Sequence, residues 1–575
     1  MEYHYSAERN VQIVLYLLKA FGIKKVIASP GATNVAIVAS MQQDPWFEMY
    51  SCVDERSAAY MAVGMADECD EPIVISCTGA TSSRNYMPAL TEAYYRKLPI
   101  IVITSSQDNS HVGNLIAQVT DRSDSPKDTV ISSIYAQNIR SSKDEWDVNR
   151  KVNQILQLHR DKPGPVHINL ATGMGGGYGV KELPATKVIR KYIKGDKLPE
   201  LPSEGHVGVF IGSHSHFSKE EIDAIDNFCA SNNAVVFCDH TSRYDGEYKV
   251  LFSLIGAQEQ MENSIADISV LIHIGEISGD YDTLCNLRVR EMWRVNPDGE
   301  FRDVMLGKLS KVFAMDEFDF FLSYSNALKA HDSSYLNNCR DLYSTLINQL
   351  PEFPFSNIYA ASILASKIPE GSSLYLGILN SLRSWNYFET KASVLGISNV
   401  GGFGIDGIAS SLVGASFCNP DKLYFGVLGD LSFFYDMNSI GNRHIGGNIR
   451  LLVVNNAHGQ EFNNYNHAAS VLGKDVNMYV AAEGHNGFKS TSLLKHYAED
   501  LGFEYLSASS KDEFINVYQR FLRSETNGKS IIFELFTNGD DENEALRLSR
   551  NLIVDNKLVA KRKIRKIIDK VFLRD

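Results

Sequence analysis

The chain has 575 residues, 44% hydrophobic and 22% charged, with a formal net charge of −13. That is ordinary globular composition for three or four domains, and the acidic balance excludes a nucleic-acid-binding face over the whole surface, because phosphate contacts need a basic one. No apolar run is long enough for a membrane span, Met1 to Asn10 lacks the basic and apolar zones of a signal peptide, and the eight scattered cysteines form no Cys-x-x-Cys pair; reduced thiols and a cytoplasmic location are expected.

In the first third, Ala7 to Ala20 has helical periodicity, and Lys24 to Ala28 reads as a strand ending at the turn Ser29-Pro30-Gly31. Tyr50 to Val53 and Ile73 to Cys77 read as strands around a helix from Glu55 to Cys69. Ile100 to Thr104 and Val166 to Leu170 are further apolar strands. Short apolar strands alternating with helices predict a parallel sheet covered on both faces. Glu55 opens a helix of small residues, where partial burial would raise its carboxyl pKa toward a range useful for proton exchange. The glycine-rich run Gly173 to Gly179 lacks the Lys-Ser/Thr of a phosphate loop, and it reads as the exit into a linker reaching about Glu204.

A second block begins at Val207 to Ile211, continues through Ala234 to Phe237 and Val270 to Ile274, and ends near Leu350. His214-Ser215-His216 within it reads as a polar loop, since no third metal ligand accompanies the pair. A third block runs from Ser356 to about Thr537, with strands at Ser373 to Leu376, Leu423 to Leu428, Ile449 to Val454 and Ser530 to Leu535. The expected fold is α/β, three doubly wound parallel-sheet domains over 1–185, 186–350 (with the linker) and 351–545, then a basic tail over 546–575. In the tail Ile564, Ile567, Ile568, Val571 and Phe572 share one helical face, as in an amphipathic terminal helix.

The most informative pairing lies in the third block. Gly429-Asp430-Leu431-Ser432 follows one apolar strand, and Asn455-Asn456 ends the next. A hard divalent cation takes oxygen ligands and shares them with a phosphate; Asp430 offers a carboxylate and Asn456 an amide carbonyl. Gly429 would let the backbone approach closely at the strand end. Two strand ends joined by a crossover helix bring both oxygens to one sheet edge, beside a helix N-terminus that favours anions.

This motif resembles the diphosphate-and-metal motif of thiamine-diphosphate enzymes. The first block is similar to the pyrimidine-binding domain of the acetolactate-synthase and pyruvate-decarboxylase group, through Ser29-Pro30-Gly31, Asp54-Glu55-Arg56, Cys77-Thr78-Gly79-Ala80, Pro88-Ala89-Leu90-Thr91-Glu92-Ala93, Pro99 to Thr104 and Gly164 to Leu170. The resemblance implies a pyrimidine-binding, a central and a diphosphate-binding domain. It implies that Glu55 hydrogen-bonds the aminopyrimidine of thiamine diphosphate, whose ylid adds to carbonyls. Gly31 and Gly79 would border the cofactor, and Gln118, in Gly113-x-x-x-x-Gln118-x-x-Asp121, would line the active site, with His111 nearby.

With Ser398 to Gly407, Gly429 to Asn438 and Val453 to Phe462, the third block looks most like the menaquinone-pathway SEPHCHC synthase family. By match, Asp430, Asn456 and the backbone carbonyl of His458 would hold Mg²⁺. Leu431, Ser432 and Phe403 would border the cofactor, and Ile405 would be the apolar wedge that bends it. That family carries three arginines where this chain has Thr33, Val400 and Trp385, the last with Arg383 two residues away. Arginine forks recognise carboxylates in a way these residues cannot, so a less anionic donor or acceptor is expected. The implied activity is decarboxylation of a 2-oxo acid with transfer of the acyl-anion equivalent to an acceptor, in a homodimer or homotetramer with sites at subunit interfaces. The alternatives are a diketone-cleaving enzyme without CO₂ loss and a non-catalytic cofactor-binding protein. The middle block shows no clear flavin fingerprint.

Overall fold

The computed structural model describes residues 4–555 except 70, 123, 161, 174–176, 262 and 326–332. The apolar face of the terminal tail therefore lies outside the described residues, as does part of the glycine-rich run. The chain divides into two compact units: the segment up to Pro199 with Met292–Met315, and Glu200–Glu291 with the chain from Asp316 on. All the strands lie in three parallel sheets with helices between them, as the α/β pattern predicts.

The first unit holds β1 (Lys25–Ala28), β2 (Glu48–Ser51), β3 (Ile73–Thr78), β4 (Ile100–Ser106), β5 (Ser132–Ala136) and β6 (Val166–Ala171) in the order β2-β1-β3-β4-β6-β5. Side chains on a strand alternate between faces, and both faces are covered here. Ile73, Ile75, Ile100 and Val102 pack with Ala59, Ala62, Ala89 and Ala93. Val74, Ile101 and Ile103 pack on the other side with Val11, Leu15 and Leu18. That double cover explains the unbroken apolar runs that made these strands visible in sequence.

Seven further strands follow, some in each unit. β7 (Arg190–Ile193) belongs to the first, with β13 (Leu309–Ala314) and the end of β12 (Arg288–Val295); β13 pairs with both. β8 (His206–Ile211), β9 (Ala234–Cys238), β10 (Lys249–Leu251) and β11 (Asp267–Ile274) belong to the second, in the order β10-β9-β8-β11. β7 corrects the expectation of an unstructured linker. The Gln157 side chain accepts the N–H of Lys191 at 2.9 Å, so this short stretch is hydrogen-bonded on both sides.

The third sheet, in the second unit, comprises β14 (Ser373–Leu376), β15 (Leu395–Ile397), β16 (Tyr424–Gly429), β17 (Ile449–Asn455), β18 (Glu504–Ala508) and β19 (Ile531–Phe536). Its order, β15-β14-β16-β17-β19-β18, repeats that of the first sheet strand for strand. In each, the second strand adds on one side of the first and the third on the other. The carboxyl ends of β1 and β3, and of β14 and β16, are therefore the topological switch points where open α/β sheets bind ligands.

Candidate active site

At the switch point of the first sheet, two glycines are set by close approach. A Cβ on Gly31 would lie 2.0 Å from Thr78 Cγ2, and one on Gly79 would lie 2.6 Å from both Ser106 Cβ and Arg122 Cζ. Glu55 begins the helix Glu55–Cys69, whose inner face is Ala58, Ala59, Ala62, Val63 and Ala66. Asp54 holds the turn before it, accepting the Arg56 N–H at 3.0 Å and the Ser57 hydroxyl at 2.9 Å. The Glu55 side chain is half-buried, and Asn85 Nδ2 donates to its Oε2 at 3.1 Å. Burial pushes its carboxyl pKa up, but donors from Ser82, Asn85 and its own N–H outweigh burial, so it lies below the ordinary value. The raised pKa expected from sequence is thus corrected for the single chain: polar donors at the helix start solvate the charged form.

Gln118 is exposed on an irregular segment, in the left-handed region at φ 63°. His111 is half-buried, its Nδ1 3.0 Å from Gln107 Oε1. What ties this segment to the sheet is Arg122, which sequence reasoning missed. Its buried guanidinium donates to Ser106 Oγ at 2.7 Å and also to Thr104 Oγ1 and Asn169 Oδ1. Only the registry of β4 and β6, which sets Thr104 opposite Asn169, brings those acceptors together; no local pattern announces it.

At the third sheet, β16 and β17 run side by side with Gly429 opposite Val454. The next residues, Asp430 and Asn455-Asn456, therefore emerge at one edge. Asp430 is 3% exposed and has no cationic side chain within salt-bridge distance among the described residues. Burial pushes its carboxyl up to about 7, against the N–H groups of Leu431, Ala457 and Asp430 itself, and the Glu534 charge pushes in the same direction as burial. Ala457 N–H also donates to Asn455 Oδ1 at 3.2 Å, and Ala457 sits in the left-handed region at φ 67°. Non-glycine residues persist there only when their surroundings force it, as at binding sites. The backbone N–H of His458 points at Asn456 Oδ1 at 3.5 Å, and the His458 ring pairs with Gln460 Oε1 at 2.9 Å.

Three details modify the expectations. A Cβ on Gly429 would meet no atom within 4 Å, so this glycine leaves open space and not a close backbone contact. The Ser432 hydroxyl donates to the Ile405 carbonyl at 2.5 Å and so fastens the loop that carries Phe403 and Ile405; Leu431 beside it is half-buried. Ile405 itself is 41% exposed, and Phe403 adopts φ 55°. At the positions where arginines were missing, Val400 and Trp385 are buried, and Thr33 spends its hydroxyl on the Ser105 carbonyl at 2.7 Å. Arg383 is held by Glu461 through both Nη atoms at 3.0 Å, so it does not take the missing role. His214 reaches Glu317 at 3.1 Å and stacks on Phe217, a polar loop as expected. Among the described residues no cluster of three or more His, Cys, Asp or Glu side chains could hold a metal, so any cation here would need amide and carbonyl oxygens as well.

Residues 9–126 match the thiamine pyrophosphate enzyme, N-terminal TPP binding domain family. The chain is 28% identical to the 2-succinyl-5-enolpyruvyl-6-hydroxy-3-cyclohexene-1-carboxylate synthase of Bacteroides fragilis, over 94% of this chain and 98% of that one. It is 27% identical to the synthase of the same name from Bacteroides thetaiotaomicron, with the same coverage. Among solved structures, the thiamine diphosphate-dependent 4-hydroxybenzoylformate decarboxylase of Rhodococcus jostii RHA1 aligns at 14% identity and a TM-score of 0.39, over 92% of this chain and 99% of that one. The domain match over the first block and the full-length similarity to these synthases support a thiamine-diphosphate-dependent decarboxylase or synthase.

Proposed function

We propose that this protein binds thiamine diphosphate with Mg²⁺, decarboxylates a 2-oxo acid and transfers the acyl-anion equivalent to an acceptor, in the manner of the synthases it resembles. The observation that carries this is Asp430: a buried carboxylate without a cation, set beside Asn456 at the switch-point edge. A hard cation ligated by Asp430, Asn456 and the His458 carbonyl would remove the cost of burying that charge. Bound thiamine diphosphate supplies carbanion-stabilising chemistry. In this reading Glu55 holds a hydrogen bond to the aminopyrimidine, and Gly31 and Gly79 keep the backbone close to it. Gly429, Leu431 and Ser432 border the diphosphate, Phe403 and Ile405 set the cofactor's conformation, and Gln118 faces the reacting groups. Calorimetry on Asp430→Asn tests the metal assignment: binding of Mg²⁺ and thiamine diphosphate together should be lost, and unchanged affinity would refute it.

Exposed apolar side chains support subunit assembly. Val53, Tyr60 and Met61 lie near Glu55, and Val471, Met478 and Tyr479 follow the Asn455-Asn456 strand. We assign these surfaces to a homodimer or homotetramer, with the site formed between the first domain of one subunit and the third of another. The domain limits 1–185, 186–350 and 351–545 remain part of this proposal.

A second feature concerns the substrate. Thr33, Val400 and Trp385 offer no guanidinium, and Arg383 is already paired. We propose a donor or acceptor less anionic than those expected for the synthases it resembles. Efficient turnover of 2-oxoglutarate with isochorismate would overturn this narrower reading and leave the broader one standing.

A further inference from the structure

Away from both strand-end sites, the carboxyl ends of β8 and β9 open into a cavity of about 150 Å³ within the second unit. Phe217 follows β8, Arg243 and Tyr244 follow β9, and Lys249 begins β10. Crevices outside the carboxyl ends of parallel strands are where such sheets receive ligands. The guanidinium of Arg243 and the ammonium of Lys249 both line this cavity, and both residues are half-buried. Among the described residues, neither side chain has a hydrogen-bond acceptor or a carboxylate within salt-bridge distance. Arg243 is also held in the left-handed region at φ 54°, a conformation that non-glycine residues keep only when surroundings impose it.

The neighbouring charges sharpen the point. Lys422 stands over the Tyr424 ring at 5.7 Å, and its pKa is held down by burial and by the Arg243 charge. The pKa of His216, also on the wall, is lowered by burial and by Arg243 and Lys422. Buried His240 gives its Nε2 to the carbonyls of Trp385 and Phe388 at 3.0 and 3.1 Å. Two acids face the cavity. Asp239 is consumed by the Thr241 N–H and hydroxyl at 2.7 and 2.6 Å and by Ser242 and Ser278. Asp245 is exposed. Neither acid lies within salt-bridge distance of Arg243 or Lys249, so both cations line the cavity without an ion-paired partner among the described residues.

The cavity shares Asp245, Lys249 and Ala392 with a wider cleft of about 780 Å³, whose walls include Tyr343 and Ile347. We propose that the two together form a binding site for a phosphate monoester of a small organic molecule. Its phosphoryl group sits between Arg243 and Lys249, and its organic part lies in the cleft. A dianion matches two cations, where a lone carboxylate leaves one uncompensated, and the arginine fork suits phosphoryl oxygens.

The test is calorimetric titration of the full chain, with thiamine diphosphate and Mg²⁺ present throughout, using phenyl phosphate and benzoate as probes. Phenyl phosphate should bind at one site per chain and benzoate far more weakly. Arg243→Met and Lys249→Met should each weaken phenyl phosphate about tenfold. No binding to the parent chain, equal affinity for benzoate, or unchanged affinity in both variants would overturn the proposal. Should Arg243→Met fail to fold, Lys249→Met decides by the same criterion.

Discussion

Two carboxylates at helix starts show how surroundings set a residue's chemistry. Asp430 is buried and pushed up to about 7, whereas Glu55 is half-buried and held low by donors from Ser82 and Asn85. If Glu55 drives the chemistry as proposed, Glu55→Gln should cut CO₂ release at least about 100-fold while cofactor affinity changes little; a fall in binding equal to the fall in rate would make it a binding residue only. Glu542 provides a pH test away from the site. It is buried, accepts the Asn357 N–H at 3.0 and 3.2 Å, and burial pushes its pKa from 4.5 to about 7. The folded state thus prefers the protonated acid. Its contribution is complete below pH 4.5 and is lost as pH rises through about 7, a change of about 3 kcal/mol. Denaturant melts across pH 4 to 8 should show that loss in the parent chain and a flatter profile in Glu542→Gln. At this scale the sequence was legible for the placement of polar residues inside a motif, such as Asp430 and Asn456 at neighbouring strand ends. It was silent on Arg122, whose partners Thr104, Ser106 and Asn169 come from two strands, and on the donors that lower the Glu55 pKa.

Among elements, the interior strands were readable and the edges were not. β3, β4, β6, β14, β16, β17 and β19 are covered on both faces and appear as continuous apolar runs, so their positions follow from sequence. β5, β7, β10, β15 and β18 all lie at sheet edges, short and partly exposed, and none gave such a run. β2, also an edge strand, lies two residues before its expected position. β12 and β13 were missed as well; β12 opens with exposed Arg288 and Arg290, which break the apolar signal. The repeated strand order depends on pairing between distant strands, so no local pattern could disclose it. The glycines at the strand ends are testable here. Gly79→Ala would drive a methyl to 2.6 Å from Ser106 Cβ and the Arg122 guanidinium, and should cost about 1–3 kcal/mol in denaturant melts. An unchanged midpoint would mean that the Arg122 segment yields freely.

For the whole molecule, the apolar side chains around Glu55 make a specific claim about assembly. Val53 is 78% exposed, and Tyr60 and Met61 are nearly half exposed on the outer face of the same helix. A charge placed in a tightly packed interface is costly. Met61→Asp should therefore shift the sedimentation profile toward monomer and abolish turnover, while far-ultraviolet circular dichroism stays unchanged. A monomeric parent chain would separate the catalytic proposal from the assembly proposal. The measurement that tests the central claim most directly is CO₂ release from a panel of 2-oxo acids, with and without thiamine diphosphate and Mg²⁺. The account expects release from at least one acid, dependent on both additions and lost in Glu55→Gln. No release from any acid with both present, by a protein that still binds the cofactor, would contradict it.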